Sequence, residues 1–157
     1  GTPEERLYWA VKQGTLKEVQ ALLEAGARPT PVHSGQNLAF LAAARMPCDE
    51  PRTMIELLGK HGVDLDQVDQ QWQQTPLFFA VRKDPRSAGS ECAKFLLDSR
   101  CDGNRKDIHG QTPLFYAAQR DDPACAEVLL RAGASPNVQD ALEGETALFL
   151  AAKTLGA

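Results

Sequence analysis

With 157 residues, 43% of them hydrophobic, the chain can bury a substantial core as one domain or one elongated array. No apolar run approaches the ~18 residues of a membrane span, and Gly1-Thr2-Pro3-Glu4-Glu5 has neither the basic nor the apolar region of a secretory signal. A formal charge of −4 argues against nucleic acid as the partner of the surface as a whole. The first residue is Gly1 rather than Met, as in a processed chain or a piece of a longer one. Cys48, Cys92, Cys101 and Cys125 show neither a C-x-x-C pair nor metal-ligand spacing. They read as small apolar fillers in a reducing intracellular compartment, the cytoplasm first, and no metal or cofactor is expected.

In chain order, Thr2-Pro3-Glu4-Glu5 opens a first helix with an N-cap, a proline and a capping-box glutamate three residues after the cap. Leu7, Ala10 and Val11 form its apolar face. Thr15-Leu16-Lys17-Glu18 reads as a second capping box, for a helix that Leu22, Leu23 and Gly26 finish. A phrase then recurs: Asn37-Leu38-Ala39-Phe40-Leu41-Ala42-Ala43, Thr75-Pro76-Leu77-Phe78-Phe79-Ala80-Val81, Thr112-Pro113-Leu114-Phe115-Tyr116-Ala117-Ala118 and Thr146-Ala147-Leu148-Phe149-Leu150-Ala151-Ala152. In the cleanest copy Thr112 is the N-cap, and Leu114, Ala117 and Ala118 fall at i, i+3 and i+4 on one face. Asp122-Pro123 opens the following helix through Val128, Leu129 and Leu130, and Gly133 closes it in the left-handed conformation. The alanines Ala10, Ala42, Ala80, Ala117 and Ala151 recur in the first helix of every unit and allow a close approach of the next pair. Self-similarity at a period of 20–50 residues marks a solenoid, in which each unit buries its apolar face only against its neighbours.

The pattern T-P-L-x-x-A-A, then a helix ending L-L-x-x-G-A and a turn-bearing tip, resembles the ankyrin repeat over essentially the whole chain. The resemblance implies an all-α solenoid of stacked antiparallel helix pairs with protruding β-hairpin fingers. Its units run roughly over 1–28, 29–65, 66–102, 103–135 and a truncated 136–157. It also implies a non-catalytic module whose fingers and first helices line a groove for a partner protein. Three departures stand out. Phe40, Phe78, Phe115 and Phe149 occupy the place where the family usually has a histidine that ties the loops together, so an apolar contact replaces a polar tie. Arg100 stands where a glycine should stop the helix, which requires left-handed strain or a different ending. The links Met46 to Pro51 and Lys83 to Ser90 are longer than in the last complete unit and are candidates for partner contact.

Catalysis has little support: His33, His61 and His109 are scattered, and no nucleophile elbow, phosphate loop or zinc motif appears. His61 reads as a helix-terminal cap. The candidate partner-binding residues lie on the tips, as Gln70, Gln71, Trp72, Ile108, His109 and Leu142, and at the ends of the first helices, as Arg45, Arg82, Lys83 and Arg120. Trp72 either presents its ring to a partner or folds onto the neighbouring finger. The cations either complement the helix dipole or form a basic row that selects an acidic or extended segment. Asn104 and Asn137 enter fingers and are expected to make turn hydrogen bonds. Leu148 and Leu150 are expected to be exposed unless another segment or protein covers that end. A structural subunit or domain held permanently in a larger assembly is therefore the alternative to a reversible interaction module. No membrane insertion, nucleic acid or small-molecule substrate is expected.

Overall fold

The computed structural model describes residues 1–13, 15–32, 34–44, 50–82 and 89–155. Along them run α1 (Pro3–Gln13), α2 (Leu16–Glu24), α3 (Leu38–Ala44), α4 (Pro51–Lys60), α5 (Pro76–Val81), α6 (Gly89–Asp98), α7 (Pro113–Gln119), α8 (Pro123–Arg131) and α9 (Ala147–Leu155). Within a repeat α1 packs on α2, α3 on α4, α5 on α6 and α7 on α8. Between repeats α1, α3, α5, α7 and α9 form an inner layer, and α4, α6 and α8 stack as an outer one. This is the all-α solenoid that the repeated phrase predicts. The helices are only 6 to 11 residues long, too short to persist alone, so their stability comes from stacking. One cluster of buried apolar side chains runs from Leu7 to Ala147, and Ala10, Ala42, Ala80 and Ala117 lie within it.

The fingers contain no regular strand among the described residues. Each is a tight turn closed by backbone bonds, such as Asp69 N–H to the Gln74 carbonyl at 2.8 Å and Asp107 N–H to Gln111 at 2.9 Å. The turns are too short for a ladder to propagate. The expected β-hairpins are therefore hairpin turns.

The capping grammar holds in part. Thr2 and Glu5 form a reciprocal box, Thr2 N–H donating to Glu5 Oε2 at 3.0 Å and Glu5 N–H to Thr2 Oγ1 at 3.1 Å. Asp122 accepts from Cys125 N–H at 3.1 Å. Thr15 does not cap backbone: its hydroxyl lies 3.3 Å from Glu18 Oε2 and 3.4 Å from the Ala10 carbonyl, which ties α2 to α1 instead. Thr75 and Thr112 have the extended backbone of an N-cap followed by proline, but their buried hydroxyls have no partner. His61 ends α4 as the C-cap residue, by its backbone.

Cys92, Cys101 and Cys125 are buried and outside any disulfide, while Cys48 lies outside the described residues. Burial, reinforced by the charges of Asp66 and Asp64, pushes the Cys101 thiol up to about 12, and burial beside Asp122 raises Cys125 as well. Neither is a ready nucleophile.

Each outer helix ends in the left-handed region, at Gly26, Gly62 and Gly133 with φ of +91°, +85° and +90°. After α6 the corresponding residue is Arg100, which adopts φ +67° with the same pattern of closing bonds. The arginine thus carries the strain that its position implied. Arg100→Gly is expected to raise the free energy of unfolding by about 0.5–1 kcal/mol, the left-handed penalty less glycine's entropy. Nothing lies within 4 Å of a side chain added at Gly133, so there the strain acts alone. Gly133→Arg should therefore lower stability by about 1–2 kcal/mol, and urea denaturation of both variants checks the pair.

Candidate protein-interaction surface

Three aspartates organise the fingers. Asp69 Oδ1 accepts from the amides of Trp72 and Gln74, both at 3.0 Å. Asp107 Oδ1 accepts from His109 at 2.9 Å and Gln111 at 3.0 Å, and Asp140 Oδ1 from Glu143 and Glu145 at 3.1 Å. The other carboxylate oxygen faces the preceding repeat, whose glutamine amide donates to it: Gln36 to Asp69 at 3.1 Å, Gln74 to Asp107 at 3.0 Å and Gln111 to Asp140 at 3.2 Å. A backbone bond stitches each pair of neighbouring fingers as well, from Gln70 N–H to Ser34, Ile108 N–H to Trp72 and Ala141 N–H to His109, at 2.8, 3.0 and 2.8 Å. Gly110 has φ +71°, and a side chain there would meet the Ala141 nitrogen at 2.8 Å, so this approach needs glycine twice over.

Behind the fingers, the inner helices carry aromatic rings from one layer to the next. Phe40 meets Phe79 edge-on at 5.3 Å and Phe78 meets Tyr116 edge-on at 5.7 Å. Of the phenylalanines expected to replace a polar tie, Phe40 and Phe78 therefore bury their rings against the following repeat and Phe115 is buried, but Phe149 is exposed, and the polar tie runs through glutamine and aspartate. Gln74 joins the two systems. Its amide donates to Asp107 and to Tyr116 Oη, both at 3.0 Å, and its carbonyl accepts from Arg82 Nη1 at 3.0 Å. Tyr116 donates to Asp107 at 2.5 Å. Burial, then the hydrogen bond to Asp107 and its charge, raises the Tyr116 hydroxyl well above its ordinary value, so it acts as a neutral donor. The Arg82 guanidinium lies 5.5 Å from the Phe79 ring and 5.7 Å from that of Tyr116.

The residues singled out in the sequence separate as follows. Trp72 is 38% exposed with its ring 6.2 Å from that of His109, so it packs on the next finger and still faces solvent. Ile108 and Leu142 are exposed on successive tips, His109 is half-buried, and Gln70 and Gln71 are exposed. Arg82 and Arg120 are both exposed, at the ends of α5 and α7, and Arg82 is held there by Gln74 and the rings of Phe79 and Tyr116. Arg45 and Lys83 lie outside the described residues, as do His33 and most of both long links. Asn104 bonds within its own turn by its backbone, N–H to Asp102 Oδ1 at 2.9 Å, while its side-chain carbonyl accepts from Ser135 N–H at 2.7 Å in the next repeat. Among the expected exposed leucines, Leu148 is exposed, but Leu150 packs against the core, and Phe149 is exposed beside Leu148.

The family model for ankyrin repeats in three copies matches the chain over residues 7–107 and 40–140. The chain belongs to the ankyrin-repeat family. Palmitoyltransferase ZDHHC13 from Homo sapiens is 34% identical over 92% of this chain, and from Mus musculus 32% identical over the same share. E3 ubiquitin-protein ligase KEG from Arabidopsis thaliana is 30% identical over 79% of it. The chain spans 22% of the length of those palmitoyltransferases and 7% of the ligase. Ankyrin repeats are protein–protein interaction modules, and the fold is typically non-catalytic. No helix among the described residues of this array is long and apolar enough to cross a membrane.

Two features of the ankyrin groove escape a reading of the phrase alone. The glutamines Gln36, Gln74 and Gln111 each stand immediately before the Asn or Thr that opens the phrase, which was the available signal. Trp9, Phe79 and Tyr116 share one register of the inner helices, and Trp9 is 52% exposed. Because Gln74 holds three partners, Gln74→Ala should cost about 2–3 kcal/mol against about 1–1.5 kcal/mol for Gln36→Ala, read from denaturant midpoints at equal slope. At Asp140, burial works against the charge, yet the amides of Glu143, Glu145 and Gly144 and the Gln111 side chain hold it below the ordinary 3.8. A depressed carboxylate stabilises the fold above its unfolded pKa, and that contribution is lost as pH falls through the folded value. Asp140→Asn should accordingly reduce the difference in unfolding free energy between pH values above and below 3.8, measured beside the unsubstituted chain.

Proposed function

We propose that this ankyrin array recognises an extended segment of a partner protein that carries a carboxylate, through its groove and fingertips. The observation that carries the reading is Arg82. Its guanidinium rests on two half-buried rings and is held by Gln74, but it has no carboxylate partner among the described residues. A cation fixed on an aromatic platform keeps its charge and loses little rotamer freedom when it binds a carboxylate. Trp72, Ile108 and Leu142 on adjoining tips supply apolar contact beside it. Gln70, Gln71, His109 and Arg120 extend the surface, and Arg45 and Lys83 belong to the same proposed set.

A second reading is a domain held permanently in a larger assembly. It draws on the exposed Leu130, Leu148 and Phe149 at one end, and on the small share of its relatives that the chain spans. The two separate in a paired pull-down, with the unsubstituted chain and a Trp72→Ala, Arg82→Gln, Arg120→Glu variant as baits. Equal helical circular dichroism of both baits is the control. A partner depleted at least about tenfold on the variant supports the groove, as hot-spot truncation predicts. Equal recovery sinks the groove reading and favours the assembly.

A further inference from the structure

The groove has a second, chemically different station at its α1 end. A cleft of about 410 Å³ opens between the first two turns of α1 and the first finger, with Glu4, Glu5, Tyr8 and Trp9 on one side and Pro31 and Val32 on the other. Helical spacing puts the two carboxylates one turn before the two rings, so they share a face. Glu5 is committed to the capping box through Oε2. Glu4 is half-buried, and its carboxylate makes no hydrogen bond or ion pair among the described residues. Trp9 stands edge-on to Tyr8 at 5.5 Å and leaves half its surface to solvent, although an indole of this size normally buries. Lys12 sits 4.7 Å from the Trp9 ring but does not line the cleft.

We infer that this cleft is an anchor pocket for an arginine side chain of the partner protein. The inference rests on the reading of the groove as a partner-binding surface, and names a contact on it. A half-buried carboxylate without a partner among the described residues, beside an exposed aromatic side chain, is complementary to a cation. Among protein cations the guanidinium alone combines a flat face that stacks on indole with a fork that pairs a carboxylate through two parallel hydrogen bonds. The apolar wall of Pro31 and Val32 suits the three methylenes of an arginine stem. A carboxylate ligand is disfavoured by the charges of Glu4 and Glu5, and a purely apolar one would strand Glu4 away from water. The groove therefore presents opposite charge at two stations, carboxylate at α1 and guanidinium at Arg82. That order would fix the direction in which an extended segment lies.

The chain has two tryptophans, Trp9 and Trp72, so an NMR titration carries its own control. The probe is acetyl-arginine amide, compared with acetyl-citrulline amide, its uncharged near-isostere. The expected result is a saturable shift of the Trp9 indole N–H with the arginine probe in the millimolar range, with the citrulline probe and the Trp72 indole showing none. Glu4→Gln should weaken the shift at least about fivefold, while Trp9 keeps its starting position. Equal shifts from both probes, equal response of the two indoles, or no shift at tens of millimolar would overturn the inference. Should Glu4→Gln fail to fold, the comparison of the two probes on the unsubstituted chain decides alone. Failure here, beside a pull-down in which the groove variant still loses its partner, would remove the arginine pocket and leave the groove intact. Failure of the pull-down with a positive titration would do the reverse.

Discussion

Asp69, Asp107 and Asp140 are buried, and the two oxygens of each face different repeats. One oxygen gathers the amides of its own turn and the other takes a glutamine donor from the repeat before, so a single carboxylate both folds a finger and docks it. A carboxylate withdrawn from water needs most of its lone pairs satisfied, which no isolated turn of this length could do. The constraint therefore runs from repeat to repeat. It is also why Gly110 can lie against the backbone of the following tip. The spacing of the fingers, and with it the line of Trp72, Ile108 and Leu142, follows from where those carboxylates must sit.

The inner layer obeys the same nearest-neighbour rule with aromatic rings. Phe40 reaches Phe79 and Phe78 reaches Tyr116, so both contacts cross a repeat boundary. Because Gln74 touches both Asp107 and Tyr116 and accepts from Arg82, the ladder of fingers and the aromatic layer meet at one side chain. The Arg82 cation is thereby set by the same bonds that align the fingers, and in the proposed groove ordering it costs little on binding.

The parts of this architecture that were legible in the sequence are those governed by local or strictly periodic burial. The recurring phrase exposed the stack, the Thr2–Glu5 box needed only its own four residues, and Arg100 announced its strain by standing where glycine belongs. The Thr15 box failed because the hydroxyl found a carboxylate and a carbonyl of α1 instead of the backbone amide that local pattern assumes. The fingers' polar ties were missed because the donors lie 29 to 33 residues from their acceptors. Glutamine at such a position looks like ordinary surface until the stack brings the next turn alongside. Trp9 was missed for a related reason: its register becomes visible only when Phe79 and Tyr116 are seen to line the same groove.

The cations at the ends of the inner helices show how one sequence pattern can hold different chemistry. Lys12, Arg82 and Lys153 occupy equivalent positions in their repeats, and each complements the end of its helix. Lys153 is engaged by Glu145 at 3.2 Å and Glu143 at 3.9 Å, an exposed pairing of small energetic weight that nonetheless masks its charge. Lys12 and Arg82 rest on aromatic rings instead. A ring supports a cation without neutralising it, so those two charges are kept while the third is masked. The field along the groove is then set less by how many cations the repeats carry than by what lies beneath each one. On that ground the α5 station, and not the α9 end, keeps a cation for the partner carboxylate of the proposed groove.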